Sequence, residues 1–268
     1  MRGAFEPVSE ADRAWREAIA RLYEMTSEDR PHGPVEGCTH CRSDWEMQEL
    51  ASIERETAPA WLIFDFASSA LLTWGSERDF RWFVPRILEL LADEPPWIPD
   101  AETMASRLLM AGLYDWPEEE QEVVRDVFAA LWGLWLDGGR PWRAPWQRRP
   151  SDSRLEPSDI LLAAGLVDVD AEPLLTEFAA RVPGDRRLGE EYAFALERIA
   201  DELQEQLELL ADNPDIEVGD NTVVRFVVSD EGIEHVERVG RLFAGDELGE
   251  RLCLLARRLA RLQSALGS

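Results

Sequence analysis

No lysine occurs anywhere in this chain: all 28 basic residues are arginine. That absence excludes a Schiff base on a lysine amine and the lysine of a phosphate-binding loop. Histidine and cysteine number only three each, so few metal-ligating or nucleophilic combinations can be built. Also missing are a glycine-rich phosphate loop, the G-x-S-x-G turn of a nucleophilic serine and the H-E-x-x-H pair of a zinc protease. No apolar run follows Met1 and no basic leader precedes one, which predicts a chain held in a reducing cytoplasm without a disulfide framework.

What the chain has in abundance is acid. Its 54 Asp and Glu residues leave a formal net charge of -26 and a pI near 4.4. Such a field repels phosphate backbones and anionic membranes at long range, so a basic protein is its natural complement. With 45% hydrophobic residues over 268 positions, there is enough apolar material for one large packed domain or two small ones.

Most large apolar side chains of the first half recur at helical spacing. Residues 9–26 open with Ser9 and Asp12 as a capping box before Trp15, Ile19, Leu22 and Tyr23 on one face. Residues 60–74 are apolar nearly all round and predict a central buried helix. The next helix starts at a Ser76/Asp79 cap and carries Phe80, Phe83, Val84, Ile87, Leu88 and Leu91, with Pro85 inside the pattern. Asp100 caps residues 101–113, and Asp115 with Pro117 opens residues 118–136, whose glutamate-rich first turn suits a positive helix end.

Between the first two of these helices lies an irregular stretch holding two cysteines and two histidines. Cys38 and Cys41 stand at the separation that lets two thiolates reach one ion, and zinc is the metal such ligands favour. His32 or His40 would supply a third ligand, and a fourth would have to come through the fold from Asp44, Cys253 or His235. Two other readings stand beside the metal one. Cys38 and Cys41 pack as small residues ahead of a helix capped by Ser43 and Glu46, or the pair has a redox use.

The Cys-x-x-Cys segment, the run FVPRILELL at 83–91 and the Asp-Trp-Pro-Glu stretch at 115–118 together resemble a group of bacterial all-helical proteins that has no assigned reaction. The resemblance covers about the first half of the chain. It implies HEAT-like stacked helical pairs and no mechanism.

Residues 137–157 form a Pro- and Gly-rich connection between a helical core domain at 1–136 and a C-terminal domain, or continuation of the array, at 158–268. Arg140, Arg143, Arg148 and Arg149 occur there beside Trp142 and Trp146, with no acid from 140 to 150. Such a segment grips an anionic or aromatic partner, or folds back and neutralises the protein's own carboxylates.

In the second half, Ser158 and Asp170 are expected to cap two short helices. Residues 188–211 make a long acidic helix, and residues 222–228, TVVRFVV, have the β-branched density of a strand. With 216–218 they predict a small β-hairpin. The last helix carries Leu248, Leu252, Leu255, Leu259, Leu262 and Leu266 as a heptad seam, which packs on the acidic helix or against a second copy of the chain. His235 is the only histidine outside the cysteine segment, a surface or capped-core residue or else a general base.

The expected architecture is therefore all-α, HEAT-like, with one hairpin. The expected function is a cytoplasmic, non-catalytic interaction module that binds a basic protein through an acidic helical surface, in the manner of an immunity protein or antitoxin. A zinc protein built on Cys38, Cys41 and a histidine is the alternative from another class. A mimic of DNA, with carboxylates standing for phosphates, is a third.

Overall fold

The computed structural model describes residues 9–93, 99–137, 155–212 and 221–266. These residues form twelve α-helices, with isolated bridges but no strand among them. The chain divides into two compact units, Met1–Leu155 and Glu156–Ser268. Among the described residues no helix is long and apolar enough to cross a membrane.

The first unit contains α1 (Glu10–Met25), α2 (Asp44–Ser52), α3 (Ala60–Ser69), α4 (Glu77–Asp93), α5 (Ala101–Met110) and α6 (Glu118–Leu136). Their starts follow the local chemistry expected of them. The Ser9 hydroxyl accepts from the Asp12 amide at 3.0 Å, and the Asp100 carboxylate accepts from the Thr103 amide at 2.7 Å. Ser76 and Asp79 satisfy each other's amides reciprocally, as do Ser43 and Glu46. Trp15, Trp74 and Trp132 are fully buried.

In this unit one expectation is not confirmed and another fails. A HEAT-like array sets each helix against its neighbour in sequence, yet the most extensive pairing here joins the first helix to the sixth. They run antiparallel, with Gly133 opposite Ala11 and Asp126 paired with Arg21. The apolar run at 60–74 does not stay helical either. α3 stops at Ser69, Leu71 takes the left-handed conformation (φ 65°), and the chain turns back to bury Trp74. Trp74 meets the edge of Phe66 with ring centroids 5.6 Å apart and donates its indole N–H to the Val35 carbonyl at 3.0 Å. A buried indole needs such an acceptor, and continued helix would not provide it.

The end of α1 is held by a residue that no periodicity singles out. Arg55 is only 3% exposed. Its guanidinium donates to the carbonyls of Tyr23 (2.5 Å), Thr26 (3.2 Å) and Trp82 (3.0 Å) and to the Thr26 hydroxyl (2.7 Å). A cation at the negative end of a helix is favourable, and the Thr26 carbonyl it reaches also accepts from the Asp29 amide at 3.1 Å.

The second unit contains α7 (Pro157–Leu166), α8 (Ala171–Arg181), α9 (Arg186–Asp212), α10 (Thr222–Val227), α11 (Asp230–Leu242) and α12 (Glu247–Leu266). Asp170 caps α8 as expected, but Ser158 lies inside α7, fully buried, one residue after Pro157 has opened the helix. The hairpin is absent from the described residues. TVVRFV is helical, and 216–218 lie outside the described residues. Asn221 decides this: its side-chain oxygen accepts from the amides of Val223 and Val224 at 3.1 Å, while its amide donates to the Leu162 carbonyl at 3.0 Å. Gly165 leaves the space, since a Cβ there would lie 1.9 Å from the Asn221 oxygen. Helical winding then buries Val223, Val224 and Val227 on one face, and tertiary burial overrides strand propensity.

The leucine seam of α12 is used within the unit. Leu248, Leu252, Leu255, Leu259 and Leu262 are buried, and α12 packs on α9 and α11, while Leu266 is 47% exposed. Arg251 and Arg258 of α12 meet Glu197 and Asp201 of α9, which draws part of the acidic helix face into internal ion pairs.

Candidate functional site

The cysteine segment is a short loop fastened to the buried Trp74 turn. Val35 donates its amide to the Met47 carbonyl at 3.0 Å, Cys38 donates to the Thr73 carbonyl at 2.8 Å, and Gly75 donates to the Glu36 carbonyl at 2.7 Å. Gly37 lies against the Trp74 ring, where an added Cβ would stand 2.9 Å from an indole carbon, so only glycine lets the two backbones approach. Arg42 locks the far end. Its guanidinium sits 4.4 Å from the centroid of the Trp74 ring and donates to the Ser69 hydroxyl at 2.6 Å, with Glu46 and Asp65 within 3.9 Å.

Within that frame the chain closes a tight turn: the amides of Cys41 and Arg42 both donate to the Cys38 carbonyl at 2.9 Å. Both thiols are exposed. The neighbouring backbone amides of His40 and Cys41, with the Cys41 side chain beside them, draw the Cys38 thiol below its ordinary range. The proximity of Cys38 raises the Cys41 thiol in turn. The two cysteines are thus chemically unequal although three residues apart.

The remaining candidate ligands do not join them. His32 and His40 are exposed, and among the described residues no three His, Cys, Asp or Glu side chains are placed to hold one metal ion. Cys253 and His235 belong to the second unit. Arg140, Trp142, Arg143, Trp146, Arg148 and Arg149 lie outside the described residues.

His235 lies 8% exposed on α11, and burial, with a smaller contribution from Arg238, depresses its pKa below the ordinary histidine value. Its imidazole is part of the core of the second unit. A cavity of about 210 Å³ is lined by Trp15, Arg16, Ile19, Ala20, Tyr23 and Glu89. Its carboxylate is already engaged: Glu89 accepts from the Tyr23 hydroxyl at 2.8 Å and from Arg86 at 3.0 Å. Burial and that carboxylate push the Tyr23 phenol well above its ordinary range.

Sequence reasoning found the two thiols through their spacing but missed Arg42, Trp74 and Gly37, which fix them. Their contribution comes from residues more than 20 positions away, and only Gly37, as an isolated glycine before a cysteine, carried any local signal.

No family model, no curated protein and no solved structure matches this chain. The resemblance carried by the first half therefore adds nothing to a functional argument, which rests on the chain's own residues.

Proposed function

We propose that this protein is an interaction module whose acidic helical surface holds a basic protein partner. The observation that carries the reading is where the arginines go. In the first unit Arg81 joins Asp29 and Glu120 at 2.9 and 2.8 Å while stacking on Trp116, and Arg30 meets Glu54 at 2.8 Å. In the second, Arg181 meets Glu177 and Arg186 meets Glu190 on their own helices. Among the described residues many arginines are committed to ion pairs within the chain, and acid faces outward at positions such as Glu119 and Glu122 of α6, Glu205 and Glu208 of α9, and Glu231 of α11, all exposed in a chain of net charge -26. Trp45 and Trp61 stand 61% and 52% exposed in the first unit, the kind of rigid aromatic anchor that carries binding energy. An immunity-like or antitoxin-like role against a basic protein is one specific form of this reading. The reading requires a helical acidic surface in a soluble compartment, the cytoplasm being the natural one, and does not depend on a HEAT-like array.

The test is capture of partners by the tagged full chain from its native lysate at about 50 mM and about 500 mM salt, where screening lengths differ severalfold. The expected result is one protein of high pI, retained at low salt, released at high salt, and rebound by the purified components. Partners without basic character, or none at either salt, would overturn it.

A further inference from the structure

We propose that Cys38 and Cys41 form a thiol–disulfide exchange centre, with Cys38 as the attacking sulfur and Cys41 as the resolving one. Four observations carry it. Both thiols are exposed, so an external disulfide can reach them. The turn between them is closed by the Cys41 amide on the Cys38 carbonyl at 2.9 Å. A four-residue turn of this kind brings its first and last Cα atoms within about 7 Å, the range a disulfide spans. The Cys38 thiol is drawn below its ordinary range by the neighbouring amides and the Cys41 thiol is raised by Cys38, a difference in the direction that favours Cys38 as the attacking sulfur. Finally, the backbone on either side is fixed by Thr73, Trp74 and Ser69, so the turn is presented rigidly and needs no ion to organise it.

The reaction balances with a low-molecular-weight aliphatic disulfide, R–S–S–R, as oxidant. The Cys38 thiolate attacks one sulfur, forming Cys38–S–S–R and breaking the external S–S bond. The departing R–S⁻ takes a proton to become R–SH. Cys41 then gives its proton to solvent and attacks the Cys38 sulfur, expelling the second R–S⁻, which is protonated in turn. The two cysteines lose two electrons and two protons, and the external disulfide is reduced to two thiols. The reverse sequence, with excess thiol, restores the dithiol.

The experiment exposes the full chain to glutathione disulfide, quenches with an alkylating agent at intervals, and analyses tryptic peptides by mass spectrometry. Residues 22–42 form one such peptide holding both cysteines, because Pro31 protects the bond after Arg30, while exposed Cys253 lies on another peptide and serves as the internal reference. The wild type should form the Cys38–Cys41 disulfide, reversed by excess reduced glutathione. Cys41→Ser should stop at the mixed disulfide on Cys38, formed at least tenfold faster than the adduct on Cys253. Cys38→Ser should react at the Cys253 rate. Both positions are exposed, so folding of the variants, followed by circular dichroism, should be unchanged. Separate glutathione adducts on the two cysteines without an internal disulfide, or a Cys38 rate no higher than that of Cys253, would overturn the proposal.

Discussion

The guanidinium of Arg55 lies 3.8 Å from the centroid of the Trp82 ring and donates to the carbonyl of that same residue at 3.0 Å. One side chain thereby ties α4 to the end of α1, where it also meets Tyr23 and Thr26. Burial alone lowers the Arg55 pKa, but the guanidinium remains charged, and its charge is satisfied by carbonyl oxygens and the nearby Glu56.

Removing that charge takes a donor from buried acceptors. Arg55→Met keeps most of the volume and should destabilise the first unit by about 2 kcal/mol, the cost of taking the charged donor from the Tyr23 carbonyl and from the Thr26 and Trp82 oxygens. Arg55→Lys should recover less than half of this, because an ammonium cannot reach Tyr23, Thr26 and Trp82 together or stack on the indole. Urea unfolding followed by tryptophan fluorescence measures both, and a loss below about 0.5 kcal/mol for Arg55→Met would show that the cluster is not a clamp.

The Asn221 cap should be coupled to Gly165. Asn221→Ala removes the start of α10 and should cost about 1–2 kcal/mol. Gly165→Ala forces a methyl into the Asn221 oxygen and should cost at least as much, but less in the Asn221→Ala background, where that oxygen is gone. A double-mutant cycle should give a coupling near 1 kcal/mol. Simple additivity would mean that α10 does not start as described.

His235 makes the second unit sensitive to acid. Its folded pKa is depressed by burial below the ordinary value of 6.5, so the unfolded chain binds the proton first. Its contribution is therefore present above pH 6.5 and is lost as pH falls below it. Denaturant midpoints measured between about pH 7.5 and 5.5 should fall more steeply for the wild type than for His235→Gln. Parallel slopes would remove His235 as the cause.

The two faces of α12 should respond oppositely to charge. Leu252 is fully buried and Leu254 is 63% exposed. Leu252→Asp buries an unpaired carboxylate and should cost more than about 4 kcal/mol, while Leu254→Asp should change stability by less than about 0.5 kcal/mol. Comparable losses at both positions would point to a second copy of the chain covering Leu254, a result sedimentation would check.

Much of this protein was readable from its residues, for a common reason: caps, acidic first turns and helical stripes are local, so Ser9, Ser43, Ser76 and Asp100 mark their helix starts without help from the rest of the chain. The charge is likewise a property of composition, and the thiol pair is visible from spacing. The tertiary structure decided whatever depends on a distant partner. It turned TVVRFV into helix because Leu162 and Gly165 receive Asn221. It ended α3 at Ser69 because the Trp74 indole finds its acceptor at Val35. It buried Arg55 where four oxygens from two other helices and their ends converge. Local propensities differ by a kcal/mol or so per residue, and a single buried hydrogen-bonding group left unpaired costs as much or more. Where the two conflict, the partner across the core decides.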